Sequence, residues 1–166
     1  MKKFIWLVLI VLFFARLWTG SSRPPELPAE SVELFITRAI DGDTLLSAEG
    51  HRIRLLGVDT PETKHPDRPP EPLGKEASDF TARLVNGKRV RVVFDRERYD
   101  NYQRLLAYVY IGDLLLNELL IENGLSEAET QFPFRSDMKR RFEQAEERAR
   151  QARVGIWMLP QNSSTP

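Results

Sequence analysis

Arg54-Leu55-Leu56-Gly57-Val58-Asp59-Thr60-Pro61-Glu62 begins with the pattern of a strand and ends as a charged corner. Ile53 and Leu55 alternate with two arginines, as expected for a strand that buries one face. Pro61 has no N–H group and favours an extended residue before it, so the strand is expected to end there. One strand end therefore carries a guanidinium group, two carboxylates and a free backbone carbonyl.

Further charged groups lie on either side of this run. Asp41-Gly42-Asp43-Thr44 offers two more carboxylates at a turn, and Arg104 opens another apolar strand. Carboxylate and carbonyl oxygens are the usual ligands of hard divalent cations, and planar guanidinium groups bind phosphate oxygens in pairs. Taken one at a time, such residues are most often ordinary turn or surface residues. Together they indicate a metal-assisted attack on a phosphodiester.

The composition limits the class of protein. The 166 residues contain 24 Lys and Arg and 24 Asp and Glu, so the formal net charge is zero. This balance argues against a protein that holds nucleic acid by bulk charge alone, but it allows a local phosphate site. The chain has no Cys, which excludes a disulfide framework and thiolate chemistry. Its length suits one domain with a hydrophobic core.

The first 20 residues predict a signal peptide or a membrane anchor. Two lysines precede an unbroken apolar run over residues 4–15, which is short for a membrane span and suits a signal-peptide core. No clear cleavage site follows, so cleavage and anchoring both stay open. We expect export, as a secreted or periplasmic protein or as a domain held outside the cytoplasm by membrane association of residues 4–18. Fractionation of cells tests this, because full-length protein free in the cytoplasm would contradict it.

The remaining sequence predicts one folded domain. Residues 21–31 are a Pro/Ser-rich linker, residues 32–158 form the domain, and residues 159–166 form a tail. The hydrophobic patterns predict strands over 32–39, 44–48, 51–57, 89–95 and 104–111, and helices over 74–85, 114–123 and 136–153. This composition of elements is typical of an α+β, mainly β fold: a five-stranded antiparallel OB-fold barrel with about three helices, preceded by the N-terminal apolar segment. We expect a monomer.

Several parts of the domain have plain structural interpretations. His51 and His65 are expected to be exposed polar residues without a role. Residues 97–103 are expected to form a polar loop, and residues 127–134 an irregular segment. Ser136 is placed to cap the last helix, which should have a solvated face and one buried stripe of Phe142, Ala145 and Ala149.

Three motifs, in this order along the chain, resemble the staphylococcal nuclease (thermonuclease) family. They are Ala39-Ile40-Asp41-Gly42-Asp43-Thr44, the run from Arg54 to Glu62, and Tyr102-Gln103-Arg104-Leu105-Leu106-Ala107-Tyr108. The ordered set is far more specific than any one of its members. The resemblance implies a five-stranded barrel packed by three helices, and calcium-dependent hydrolysis of DNA, RNA or both that leaves 3′-phosphates.

The resemblance also implies which residues hold the metal. Asp43 and Asp59 resemble the two carboxylates that bind Ca²⁺. Thr60 resembles the residue that supplies a main-chain carbonyl to the ion, and Asp41 matches an acidic neighbour of the metal.

Roles toward the substrate are implied in the same way. Glu62 resembles the residue usually assigned as general base toward the attacking water. Arg54 and Arg104 resemble the two arginines that hold the scissile phosphate, and Tyr102 matches an aromatic residue near the terminal nucleotide phosphate.

This chain departs from the family pattern around the substrate. Asn101 stands in place of a lysine, and Gln103 in place of a glycine. Thr130 and Phe132 replace two tyrosines that line the nucleotide pocket. The departures bear on substrate affinity and leave the metal and hydrolysis residues unchanged.

Two other classes of function stay open on the sequence. One is a non-catalytic OB-fold module that binds nucleic acid or a protein partner, tethered at the membrane. The other is a membrane-bound scaffold in which the N-terminal segment is the important part. Binding modules that resemble this family often lack its acidic and arginine residues. Their presence here favours the enzyme.

Overall fold

A computed structural model describes residues 30–63 and 69–159 of the protein. The predicted signal peptide or anchor, nearly all of the linker, His65 and tail residues 160–166 lie outside the described residues. Within the two described ranges, no helix is both long and apolar enough to cross a membrane.

The described part of the chain forms short strands and three α-helices. In chain order these are β1 Ser31–Ala39, β2 Thr44–Ser47, β3 Arg52–Leu55, β4 Val58–Asp59, α1 Gly74–Val85, β5 Lys88–Tyr99, β6 Leu105–Ile111, β7 Leu114–Leu115, α2 Leu116–Glu122, β8 Glu127–Ala128, α3 Ser136–Ala152 and a 3₁₀ turn at Gly155–Met158.

Five of the strands close into a barrel. Their order is β3-β2-β1-β5-β6, with antiparallel neighbours throughout, and a parallel pairing of β3 with β6 closes the ring. The predicted OB-fold barrel with three helices is confirmed. The expectation that it is antiparallel throughout is wrong, because an odd number of alternating strands must close on two strands of the same direction.

Alternation along the strands builds the barrel core. Ile53 and Leu55 are buried, whereas Arg52 on the other face of β3 is exposed. Burial of one such aliphatic side chain stabilises the fold by roughly 1.5–3 kcal/mol. The α3 helix covers part of the barrel with a stripe of Met138, Phe142, Ala145 and Ala149, which confirms the predicted stripe and its solvated opposite face.

The start of α3 differs from the prediction. Arg135, not Ser136, occupies the N-cap position, and no side chain makes a capping hydrogen bond there. The Arg135 N–H donates to the Asp95 carboxylate at 3.0 Å, which fixes residue 135 as the last non-helical residue. Ser136 is consequently the first helical residue, and its hydroxyl is out of place for capping.

Most element boundaries lie within two residues of the predictions, and three segments differ further. β5 continues to Tyr99, because after an irregularity beyond Phe94 the strand pairs again with β6. The predicted helix over 114–123 begins at Leu116, because the two preceding residues form β7 against β6. The segment after α2 contains β8, which pairs with β4.

His51 is buried rather than exposed, with 5% of its surface accessible. It lies two residues before Ile53 and four before Leu55, so the period of the strand places it on the same buried face. Its backbone N–H donates to the Ser47 hydroxyl and its carbonyl accepts from the Ser47 N–H, which closes the β2–β3 hairpin. Burial lowers the pKa of His51 below 6.5, against an opposing effect of Glu49.

A buried asparagine connects the barrel to the segment from Arg54 to Glu62. The Asn117 amide donates to the carbonyls of Leu56 at 2.9 Å and Ala107 at 3.2 Å, and its oxygen accepts from the Val109 N–H at 3.0 Å. The residue is fully buried on α2. One side chain therefore joins α2, β6 and the turn that follows β3.

Asn117→Ala is expected to lower the free energy of unfolding by about 1–3 kcal/mol, because it leaves a buried N–H and a buried carbonyl without partners. Urea denaturation of the full chain measures this loss. Asn101→Ala, at an exposed position, serves as the control and should leave the midpoint within experimental error. Equal losses in both variants would contradict the role of Asn117.

Stability should fall as the pH drops below about 6.5 because of His51. Its folded-state pKa lies below the ordinary value, so in that window the unfolded chain binds more protons than the folded one. Denaturant midpoints measured from pH 7.5 to pH 5 check this expectation. His51→Gln cannot take up the proton, so its midpoint should depend less on pH over that range. An identical pH profile for both proteins would contradict it.

Candidate active site

The predicted acidic turn is held from two sides. Asp41 accepts hydrogen bonds from the N–H groups of Asp43 at 3.1 Å and Thr44 at 2.7 Å. The buried Thr81 hydroxyl on α1 donates to the Gly42 carbonyl at 2.6 Å. The turn is therefore fixed by its own first carboxylate and by a helix.

Gly42 allows this turn to pack against the end of the charged run. A Cβ atom at this position would lie 2.5 Å from the Thr60 hydroxyl oxygen, so a larger residue would push the two segments apart. In the resulting contact, Asp43 Oδ2 accepts from the Thr60 N–H at 3.1 Å and from its hydroxyl at 3.3 Å. The sequence segments that carry the predicted metal ligands are thus in direct contact.

Arg54 joins the two carboxylates that the sequence analysis assigned to the metal. Its Nη1 lies 2.9 Å from Asp43 Oδ2 and its Nη2 lies 2.8 Å from Asp59 Oδ1. Nη1 also donates to the Val58 carbonyl. The Asp43 side chain is 10% exposed, whereas 62% of the Asp59 side chain is accessible. One guanidinium group therefore spans a buried and an exposed acid.

These groups line one polar cavity of about 230 Å³ at the rim of the barrel. Seven of the eight predicted site residues border it, together with Pro61: Asp41, Asp43, Arg54, Asp59, Thr60, Glu62 and Arg104. Burial raises the pKa of Asp41, and the negative charge of Asp43 raises it further, against hydrogen bonds from the backbone. Four carboxylates and two guanidinium groups line the cavity, so it favours an added positive charge.

Glu62 lies at the exposed edge of this cavity, and its backbone is tied to Glu71. The Glu62 N–H donates to a Glu71 carboxylate oxygen at 3.1 Å, and its carbonyl accepts from the Glu71 N–H at 2.9 Å. The first residue of α1, Gly74, packs against the same backbone, since a Cβ there would lie 2.8 Å from the Pro61 carbonyl oxygen.

Arg104 is oriented by an acid that the sequence analysis did not identify. Asp100 accepts from the Arg104 Nε at 2.6 Å and from its backbone N–H at 2.9 Å. Burial raises the pKa of Asp100, but the hydrogen bonds and charge of Arg104 outweigh it, so the pKa lies below its ordinary value. Gln103, where the family pattern has glycine, has a φ of 59°, a conformation that costs a non-glycine residue roughly 1–2 kcal/mol.

A second cavity, of about 320 Å³, adjoins the first through the same two arginines. Its walls include the exposed aromatic residues Tyr99 and Phe132 and the turn residue Asn101. Tyr102 borders neither cavity; it is 77% exposed, and its ring centroid lies 5.5 Å from the Arg104 guanidinium carbon. Tyr102 therefore contacts Arg104 but lies outside the cavity that the other seven predicted residues border.

Three further residues hold the site, and the sequence signals for them differ. Thr81 lies four residues after Ala77 on the buried stripe of α1, and this spacing could have revealed it. Asp100 begins an Asx turn, because its side chain accepts from the Tyr102 N–H at 2.9 Å. Ser126 contacts the backbone of Asp59, which lies 67 residues earlier in the chain, and no local sequence pattern predicts this contact.

The donor set suits a hard cation. Among residues 30–63 and 69–159, no three acidic or histidine side chains are grouped closely enough to hold a metal by themselves. Asp43 and Asp59, with nearby backbone carbonyls, still offer the carboxylate and carbonyl oxygens that calcium prefers, and calcium completes its shell with water. These residues therefore fit a calcium ion that also retains water or substrate oxygens.

Comparison with known proteins agrees with this arrangement. A protein-family model described as "Staphylococcal nuclease homologue" matches residues 52–159. A thermonuclease of Staphylococcus intermedius is 36% identical over 155 residues, which cover 91% of this chain and 92% of the relative. A thermonuclease of Staphylococcus hyicus is 41% identical, covering 74% and 73%, and Endonuclease YncB of Bacillus subtilis is 35% identical, covering 76% and 62%. The resemblance predicted from the motifs is confirmed, and the chain belongs to the staphylococcal nuclease family.

Proposed function

We propose that this protein is a calcium-dependent nuclease that hydrolyses phosphodiester bonds of DNA, RNA or both and leaves 3′-phosphates. The observation that carries the proposal is the cavity in which Arg54, Arg104 and the acids converge at one rim of the barrel. Two of the relatives are named thermonucleases and one an endonuclease, which supports the same reaction class.

Asp43, Asp59 and the carbonyl of Thr60 are the residues that would hold calcium. Calcium takes six to eight oxygen ligands at about 2.3–2.6 Å, so three protein groups leave positions for water and a phosphate oxygen. When bound, the ion supplies Lewis-acid and template chemistry at the phosphate. The four carboxylates that line the cavity outnumber its two guanidinium groups, which favours binding of a cation.

The protein's own groups would act on water and phosphate. Glu62 takes a proton from the attacking water as that water bonds to phosphorus. The bond from phosphorus to the 5′-oxygen then breaks, and the leaving oxygen takes up a proton from solvent. The products are a 3′-phosphate and a 5′-hydroxyl. Arg54 and Arg104 donate to the non-bridging oxygens and gain strength as negative charge grows in the transition state. Asp100 orients Arg104 for this contact.

The test of the proposed function is hydrolysis of single-stranded DNA and of RNA by the full chain. Turnover should require calcium, stop when a chelator is added and resume with excess calcium. Glu62→Gln should reduce the rate by about 10²–10⁴-fold, because it removes the general base and keeps the shape of the side chain. Glu49→Gln, at an exposed position after β2, is the control and should retain the wild-type rate. End-group analysis of the products tests for the 3′-phosphate. Binding of nucleic acid without hydrolysis would contradict the proposal and favour a non-catalytic module.

Arg54→Ala should slow single-turnover hydrolysis at saturating calcium by about 10²–10³-fold, near 3–4 kcal/mol, because it removes a donor to the transition state. Arg52→Ala is the matched control: the residue lies two positions earlier on β3, on the exposed face. Its rate should equal that of the wild type. Equal rates in the two variants would contradict the role assigned to Arg54.

A further inference from the structure

Ser126 is a fully buried polar residue immediately before β8, and its hydroxyl lies against the backbone of Asp59. Asp59 N–H donates to Ser126 Oγ at 2.9 Å. The same oxygen lies 3.0 Å from the Asp59 carbonyl oxygen and 2.6 Å from that of Glu127, so its single hydrogen is shared between two acceptors. The backbone N–H and the carbonyl of Asp59 therefore both contact the Ser126 hydroxyl.

The strand that carries Asp59 is short and pairs with one equally short strand. β4 and β8 form a two-residue ladder, with Val58 opposite Ala128 and Asp59 opposite Glu127. Short two-stranded pairs are at best marginally stable without further contacts. The Asp59 carboxylate is largely exposed and contacts Arg54, whereas that of Asp43 is buried and also accepts three hydrogen bonds from Thr44 and Thr60.

The peptide group between Asp59 and Thr60 links the two acids through this serine. The carbonyl of that peptide faces the Ser126 hydroxyl, and its N–H donates to Asp43 Oδ2 at 3.1 Å. Because a peptide group is planar and rigid, holding both of its polar atoms fixes its orientation. The backbone of Asp59 is thus set relative to the carboxylate of Asp43.

We propose that Ser126 is a positioning residue for the metal site: its hydroxyl fixes the backbone of Asp59 and thereby the separation of the Asp59 and Asp43 carboxylates. This role rests on the proposed function, in which those carboxylates bind calcium. Groups that orient metal ligands without touching the metal typically contribute about 10–100-fold to metal affinity. Ser126 acts on the ligand's backbone, so we expect an effect toward the lower end.

Calcium titration of the full chain by calorimetry tests the role, with Ser126→Ala compared with wild type. The expected result is a calcium Kd about tenfold higher in the variant. Ser47→Ala is the matched control, since Ser47 is also buried and also accepts a backbone N–H, that of His51 at 3.2 Å, in a different hairpin. It should lose stability in a similar way and keep the wild-type Kd, which separates positioning from loss of stability.

Hydrogen exchange adds a readout that needs no metal. The Asp59 amide should exchange faster in Ser126→Ala than in wild type, while the amides of β1 keep their protection. Should Ser126→Ala not fold, Ser126→Cys retains a weaker donor and acceptor and should give an intermediate Kd.

Two outcomes would overturn the inference, and they are distinguishable. If wild type binds calcium and Ser126→Ala binds it with the same Kd, the positioning role alone is wrong. If wild type binds no calcium and does not hydrolyse nucleic acid, the proposed function fails and the role fails with it.

Discussion

The site depends on one guanidinium group held between two carboxylates. Arg54 contacts Asp43 at 2.9 Å and Asp59 at 2.8 Å, and only 18% of its side chain is exposed. Without a positive charge between them, the two carboxylates would repel each other. The contact therefore brings together Asp43, immediately before β2, and Asp59, the last residue of β4.

The topology of the barrel determines where this contact lies. Five alternating strands close only through a parallel pair, and here that pair is β3 with β6. The register places Ile53 opposite Leu105, so Arg54 and Arg104 are both brought to the same rim. The odd number of strands thus brings Arg54 and Arg104, the two candidate phosphate-binding residues, into one cavity. The same cavity contains the acids just before β2 and at the end of β4.

Much of this arrangement could be predicted because it is local in sequence. The alternation of Ile53 with arginines, the stripe on α3 and the turn at Asp41-Gly42-Asp43 each follow from a short period or from turn chemistry. The parts that could not be predicted depend on contacts distant in sequence. The Ser126 hydroxyl accepts a hydrogen bond from the Asp59 N–H, 67 residues earlier in the chain. The Arg135 N–H, at the N-cap of α3, donates to Asp95, which lies 40 residues earlier. The alternation along β3 that predicts burial of Ile53 also predicts burial of His51, two residues earlier on the same face. The polar side chain of His51 led to the opposite prediction.

The reciprocal hydrogen bonds between Glu62 and Glu71 close the base of the connection from β4 to α1. Because the two residues are joined there, the backbone of Glu62 is held next to the chain that leads into α1. Loop-closure entropy rises only slowly with length, by about 0.6 kcal/mol for each doubling. A change in the length of chain between residues 62 and 71 should therefore cost the fold little free energy, while the backbone of Glu62 keeps its place at the cavity rim.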